Sequence, residues 1–90
     1  MNYNVYILLS LKDNQFYTGY STNLPNRIVY HKKGLVKSTI NRRPLKLIFY
    51  EVYNNKIDAQ RREKYFKTTA GKKTLRIMLK ETLKIIKNNA

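Results

Sequence analysis

The chain has 90 residues, 42% of them hydrophobic, and 19 Lys and Arg against 5 Asp and Glu give a formal net charge of +14. This length predicts one small domain, 1–90, that folds around one core rather than staying disordered. The absence of cysteine excludes disulfides and thiolate metal sites. Without a signal peptide or an apolar run of about 18 residues, we expect a cytoplasmic protein with no membrane partner. The charge favours a polyanionic partner, and we expect nucleic acid.

Two runs rich in β-branched, aromatic and leucine residues, 4–11 and 16–20, flank a polar segment. This pattern predicts a β-hairpin, and Asp13-Asn14 is suited to a two-residue turn between its strands. Gly19, inside the second run, predicts a close approach by another group or a bulge.

A two-residue turn would place Ser10 opposite Tyr17 in this hairpin. Because side chains alternate along a strand, Tyr6, Ser10 and Tyr17 then share one face of the sheet. Two tyrosine rings that lean toward each other would present both hydroxyls to one cleft.

The next segment predicts a helix with two charged or polar groups on its inner face. Residues 21–23 supply N-cap side chains, and Gly34 is suited to the end of the helix. Leu24, Arg27, Ile28 and His31 recur at helical spacing and share one face. Since the two apolar residues anchor this face, we expect the arginine and the histidine to be drawn toward the sheet or its rim.

Residues 35–44 form a basic loop, and Leu45 to Tyr53 is the strongest strand pattern after the hairpin. A helix over about 56–67 follows, and Asn55 with Asp58 resembles a capping box at its start. Ala59, Glu63 and Phe66 share one stripe of this helix. A carboxylate on an apolar stripe requires a cation, a metal or hydrogen-bond donors.

The last apolar stripe predicts one amphipathic closing helix, separated from the previous helix by residues 68–73. The stripe consists of Leu75, Met78, Leu79, Leu83 and Ile86. The expected order is therefore β-β-α-β-α-α. We expect an α/β (α+β) sandwich, in which helices flank a central three-stranded, mainly antiparallel sheet.

The triplets Asn4-Val5-Tyr6 and Tyr17-Thr18-Gly19 resemble the paired motif that names the GIY-YIG nucleases, with Asn4 in place of the first glycine. Arg27 and His31, four residues apart on a helix, and Glu63 on a later helix follow in the order that this family uses. The resemblance extends over nearly the whole chain and is closest to the small stand-alone bacterial members. It implies an α/β sandwich around a three-stranded antiparallel sheet.

The resemblance also implies hydrolysis of phosphodiester bonds with a divalent cation, Mg²⁺ or Mn²⁺, and no small-molecule cofactor. Glu63 would be the single protein ligand of this cation, with water in the other positions. Arg27 would hold and neutralise the scissile phosphate. Tyr17 would deprotonate or orient the attacking water, and Tyr6 would line the same pocket and share that role. His31 would relay a proton to or from Tyr6, or contact phosphate as a cation.

Each of these residues also has an ordinary structural role open to it. Glu63 would pair with a nearby Lys or Arg, Arg27 would be a solvated helix residue, and His31 would be a buried structural group. Many family members also use a late asparagine to brace the site, whereas here Asn88 and Asn89 lie in the tail.

Six basic residues are candidates for contact with the nucleic-acid backbone. They are Lys37, Arg42, Arg43, Lys67, Lys72 and Lys73. The sequence thus favours a nuclease acting on DNA, or on DNA and RNA. Two alternatives stay open: a basic nucleic-acid-binding module with weak or no catalysis, and an interaction protein that uses its basic surface on a larger assembly.

Overall fold

The computed structural model describes residues 2–88. Three strands and four helices lie in this part of the chain: β1 Tyr3–Ser10, β2 Phe16–Ser21, α1 Leu24–Lys32, β3 Leu45–Tyr53, α2 Lys56–Phe66, α3 Thr69–Met78 and α4 Lys80–Asn88. A short 3-10 turn, Ile40–Arg42, lies in the basic loop. None of the helices in this span is long and apolar enough to cross a membrane.

The strands form one antiparallel sheet in the order β2-β1-β3. The expected α+β class and the three-stranded antiparallel sheet are therefore confirmed. The central strand β1 is buried on both faces over almost its whole length. This double burial explains why its sequence is a nearly continuous apolar run rather than a strict alternation.

The two faces of the sheet have separate cores. On one face, Val5, Ile7 and Leu9 pack with Phe66 of α2 and Leu75 of α3. On the other face, Tyr6 and Leu8 pack with Leu24 of α1, together with partly buried neighbours that include Tyr17. A single helix thus covers the face that carries both tyrosines of the triplets.

The expected two-residue hairpin turn is wrong, and so is the register that follows from it. Leu8, not Ser10, lies opposite Tyr17. The loop contains four residues, 11–14, and is closed by a hydrogen bond from the Ser10 amide to the Gln15 carbonyl (3.0 Å). The Ser10 hydroxyl stabilises this wider loop because it accepts bonds from the amides of Lys12 and Asp13. A shift of two residues preserves the side-chain alternation, so the predicted face is correct and Tyr17 moves closer to Tyr6.

The expected single closing helix is also wrong, because the chain leaves helical geometry at Leu79 (φ −104°, ψ 20°) and divides into α3 and α4. The segment expected to be a linker instead starts α3, where the Thr68 hydroxyl accepts a bond from the Gly71 amide. A Cβ at Gly71 would overlap the Tyr65 carbonyl, so glycine lets α3 approach α2 closely. The apolar stripe continues across the break: Leu79 is buried, and Leu83 packs against the same core.

Candidate active site

The tyrosines of the two triplets lie side by side on the α1 face of the sheet. The ring centroids of Tyr6 and Tyr17 are 6.4 Å apart. Gly19 lies opposite Tyr6 in the register, and a Cβ there would overlap the Tyr6 ring. Glycine therefore allows this ring to lie across β2 toward the helix, which is the close approach expected for this position.

Helix α1 brings the arginine and the histidine to these rings. Its start is fixed by the Asn23 side chain, which accepts a bond from the Asn26 amide. The buried His31 places Nε2 2.7 Å from the Tyr6 hydroxyl. One turn earlier, Arg27 donates from Nε to the same hydroxyl at 3.4 Å. Two residues from one helix thus converge on one phenolic oxygen.

The other ring nitrogen of His31 is held by a residue that sequence reasoning did not single out. Nδ1 lies 2.7 Å from the hydroxyl of Thr39, which is fully buried in the basic loop. The Thr39 hydroxyl also lies 3.5 Å from the Val36 carbonyl, to which it donates. Because the Thr39 hydroxyl has a single proton and donates it to Val36, this hydroxyl accepts a hydrogen bond from Nδ1–H of His31. Nε2 of the neutral ring then has no proton and accepts the hydrogen bond from the Tyr6 hydroxyl.

A sequence signal for Thr39 exists but is weak. A buried imidazole requires a partner on each nitrogen, and the basic loop after α1 contains two hydroxyl residues, Ser38 and Thr39. Only the tertiary structure distinguishes them. Thr39 reaches His31, whereas the exposed Ser38 donates to the Tyr17 hydroxyl at 3.4 Å.

Burial and charge determine the protonation states around Tyr6. Desolvation, followed by the positive charge of Arg27, lowers the pKa of His31 to about 4, so the imidazole is neutral at pH 7. Burial raises the pKa of Tyr6 above its usual value, although the hydrogen bond from Arg27 opposes this shift. The hydrogen bond to Tyr6 raises the pKa of Arg27, and the neighbouring Tyr17 contributes. This cluster of side chains therefore contains a permanent cation, Arg27, beside two neutral groups, Tyr6 and His31.

These states bear on the two roles that the resemblance left open for His31. A neutral ring with both nitrogens bonded to hydroxyls is poorly suited to contact phosphate as a cation. The arrangement favours exchange of a proton with Tyr6. The raised pKa of Tyr6 argues against Tyr6 as a resting phenolate base.

Glu63 lies on α2, which packs on the other face of the sheet. Its carboxylate pairs with Lys67 at 3.0 Å, and its side chain is 20% exposed. Its negative charge contributes to the raised pKa of Tyr6 and also to that of Tyr20 on β2. The structure thus brings four of the expected site residues into direct contact and places the fifth within electrostatic range.

The donor set at Glu63 fits a hydrated hard cation. Within residues 2–88, no three His, Asp or Glu side chains gather into a metal site. A cation here would therefore have one carboxylate ligand and several waters, which suits Mg²⁺ because it retains most of its hydration shell. Among the described residues the buried Tyr20 hydroxyl has no hydrogen-bond partner, and the charge of this carboxylate contributes to the raised pKa of Tyr20. Such an orphaned donor is suited to a bound water.

The six basic candidates divide by their contacts. Lys67 is paired with Glu63, and Arg42 with Asp13 at 2.9 Å. Arg43 holds the loop against α1, since it donates to the Ile40 and Lys32 carbonyls. The side chains of the remaining three are exposed: Lys37, Lys72 and Lys73. Of the late asparagines, Asn88 is exposed at the end of α4, and Asn89 lies outside the described residues.

Comparisons with known proteins identify the family of this chain. A family model described as the GIY-YIG catalytic domain matches residues 2–76. UPF0213 protein CPE1444 of Clostridium perfringens is 41% identical over 85 residues, which cover 93% of this chain and 89% of that protein. UPF0213 protein YazA of Bacillus subtilis is 39% identical over 73 residues, which cover 80% of this chain and 74% of that protein.

A solved structure is similar as well. The solution NMR structure of the UPF0213 protein BH0048 from Bacillus halodurans shares 38% identity, with a TM-score of 0.55 over 89% of this chain and 86% of that one. The match to the family model includes both triplets, α1 and Glu63. The chain therefore belongs to the GIY-YIG catalytic domain family, a family of nuclease type, and its relatives are the small UPF0213 proteins.

Proposed function

We propose that this protein is a divalent-metal-dependent nuclease that hydrolyses phosphodiester bonds in DNA, with RNA as a second substrate class to be tested. The observation that carries the proposal is the hydrogen-bonded chain from Arg27 through Tyr6 and His31 to Thr39. It joins a phosphate-binding cation to a proton acceptor within one cleft. The net charge of +14 supports a polyanionic substrate.

Arg27 binds the scissile phosphate in this proposal. Its Nε is used by Tyr6, and the guanidinium has further N–H donors for the phosphate oxygens. Because these donors are oriented before the substrate arrives, they stabilise the negative charge that develops on phosphorus without reorganisation. A hydrated Mg²⁺ or Mn²⁺ held by Glu63 would supply a Lewis acid for the leaving oxygen.

The tyrosines and His31 handle the attacking water. Tyr17 orients this water. The water gives a proton to the Tyr6 oxygen as Tyr6 gives its own proton to Nε2 of His31. The new oxygen–phosphorus bond forms as the bond to the leaving oxygen breaks, and His31 ends the step as an imidazolium that still donates to Thr39. Tyr6 remains neutral throughout, which is consistent with its raised pKa.

The test is a digestion panel of labelled single-stranded and double-stranded DNA and RNA with Mg²⁺, Mn²⁺ or EDTA. We expect cleavage that requires metal and is lost in Glu63→Gln and Arg27→Ala. Glu81→Gln is the matched control, since Glu81 is an exposed helix carboxylate paired with a lysine, Lys84 (3.8 Å). Unchanged metal-dependent cleavage by Glu63→Gln would refute the proposed function.

One observation favours the second candidate, a basic module that binds nucleic acid without cutting it. Lys67 already neutralises Glu63 at 3.0 Å, and a cation must displace it. This alternative predicts salt-sensitive binding but no cleavage with any metal. Lys67→Gln distinguishes the two, because removal of the competing ammonium should lower the metal concentration that a nuclease needs for cleavage, whereas a pure binder should give no cleavage at any metal concentration. Failure to bind any nucleic acid would favour an interaction protein instead.

A further inference from the structure

A basic concavity lies beside the candidate active site, at the hairpin end of β2. Its volume is about 330 Å³. It is lined by Asp13, Gln15, Phe16, Arg42, Lys72 and Arg76. Three of these six side chains are cations and one is a carboxylate, so the lining carries a net charge of +2.

Two of the cations are held in place rather than free to move in solvent. The Arg76 guanidinium lies over the Phe16 ring, 4.5 Å from its centroid, and Nη2 donates to the Asn14 carbonyl at 3.4 Å. Arg42 donates to Asp13 from Nε and to the Gln15 carbonyl from Nη2. Held cations lose little side-chain entropy when an anion binds.

The acid in the concavity cancels one of the three positive charges. The hydrogen bond from Arg42 lowers the pKa of Asp13 to about 2, so Asp13 is ionised at pH 7 and neutralises Arg42. Lys72, one helical turn before Arg76 on α3, is exposed. Lys72 and Arg76 therefore provide the excess positive charge at this end of β2.

The concavity and the cleft lie along one strand and share one loop. Phe16 lines the concavity, and Gly19, three residues further along β2, lies beneath the Tyr6 ring. Three residues correspond to roughly 10 Å along a β-strand, and residues at an odd spacing point to opposite faces. Phe16 accordingly packs in the core formed with α2 and α3, whereas Tyr6 packs in the core formed with α1. The concavity and the site therefore lie on the two sides of β2, which is an edge strand of the sheet. The basic loop connects both places, since Thr39 contacts His31 and Arg42 lines the concavity.

We propose that the concavity formed by Arg42, Lys72 and Arg76 binds a backbone phosphate of the same nucleic-acid strand whose scissile phosphate is held by Arg27. This inference rests on the proposed function for the identity of the substrate. The subsite holds the strand along β2 and thereby determines which phosphodiester lies beside Tyr17. It also supplies a second anchoring point in a small protein, where one phosphate contact gives little affinity.

The test measures binding without cleavage, so its outcome does not depend on whether the protein is a nuclease. Glu63→Gln protein in EDTA is titrated with a fluorescent dinucleotide and with a longer single-stranded oligonucleotide at several salt concentrations. Lys72→Gln and Arg76→Gln are each added to this background. Lys46→Gln is the matched control, because Lys46 is an exposed lysine on β3, at the opposite edge of the sheet.

We expect each of the two concavity variants to weaken binding of the longer oligonucleotide and to reduce its salt slope by about 1. Dinucleotide binding should be unchanged, since a dinucleotide in the cleft does not reach the concavity. Arg76→Lys keeps the charge and should bind the longer oligonucleotide almost as tightly as the protein with Arg76. Comparison with Arg76→Gln shows whether that variant acts through the lost charge or through the lost packing on Phe16.

Two results would overturn the proposal. One is that Lys72→Gln, Arg76→Gln and Lys46→Gln lose the same affinity for the longer oligonucleotide and have the same salt dependence of binding. This result would mean that only the overall charge of the protein matters. The other is that inorganic phosphate binds in a way that depends on Lys72 and Arg76, while binding of the oligonucleotide does not depend on these residues. The concavity would then be a site for small anions.

Discussion

Stability between pH 7 and pH 5 should depend on His31. The folded protein holds this imidazole neutral with a pKa of about 4, whereas histidine in an unfolded chain titrates near 6.5. As the pH falls below 6.5, the unfolded chain takes up a proton that the folded protein does not. Stability therefore decreases toward acid, and the full loss below pH 4 is about 3 kcal/mol.

The window from pH 7 to pH 5 contains the ordinary pKa of histidine, and His31 is the only histidine in the chain. With these two pKa values, the free energy of unfolding falls by about 2 kcal/mol across it. Asp13, whose pKa is also shifted, titrates well below the window because its pKa is already lowered to about 2. Urea titrations followed by far-UV circular dichroism or by tyrosine emission measure the change; the chain has 8 tyrosines and no tryptophan.

His31→Gln provides the comparison. The variant should be less stable at pH 7, because Tyr6 and Thr39 lose well-placed partners, by about 1–3 kcal/mol. Its stability should nevertheless be nearly flat between pH 7 and pH 5. If the natural protein and His31→Gln have the same slope in this window, His31 is not held neutral by the fold, and the proton-acceptor role proposed for it fails.

Three further substitutions test the packing and hydrogen bonds around the site. Thr39→Val keeps the shape but leaves Nδ1 of His31 unpartnered, so we expect a loss of about 1–3 kcal/mol in urea titrations and slower cleavage of labelled DNA. Gly19→Ala places a methyl group on the Tyr6 ring, and we expect about 1–3 kcal/mol of destabilisation and loss of cleavage. Leu75→Ala removes a fully buried side chain from the opposite core and should cost about 2–5 kcal/mol, while the cleavage rate of the folded fraction stays unchanged.

The controls for these substitutions are neighbours with different environments. Ser38→Ala removes an exposed hydroxyl next to Thr39, and Ile77→Ala shortens a side chain that is 70% exposed. Both should change the free energy of unfolding by less than about 0.5 kcal/mol. A loss in Ser38→Ala as large as that in Thr39→Val would show that the whole loop, rather than the bond to His31, matters.

The strands and the first two helices were predictable because their signals are local. Leu45 to Tyr53 forms β3 with the expected bounds, and α1 and α2 begin after Asn23 and Asn55. The alternation of β1 correctly placed Tyr6 and Tyr17 on one face, although the register was wrong by two residues. The apolar stripe of the last third correctly marked Leu75, Leu79, Leu83 and Ile86 as core residues, whereas Met78 is 44% exposed. The stripe did not reveal the break at Leu79, because i, i+4 spacing continues across it.

The amino-acid sequence by itself determined the element types, the paired triplets, the spacing of Arg27 and His31, and the positive charge, since each depends on residues near one another or on composition. Only the tertiary structure decided that Thr39 holds His31 and that Lys67 pairs with Glu63. It likewise decided that Arg76 lies with Arg42 beside Phe16. The physical reason is that hydrogen bonds and ion pairs depend on distances of a few ångströms between side chains, and packing brings distant parts of the chain to those distances.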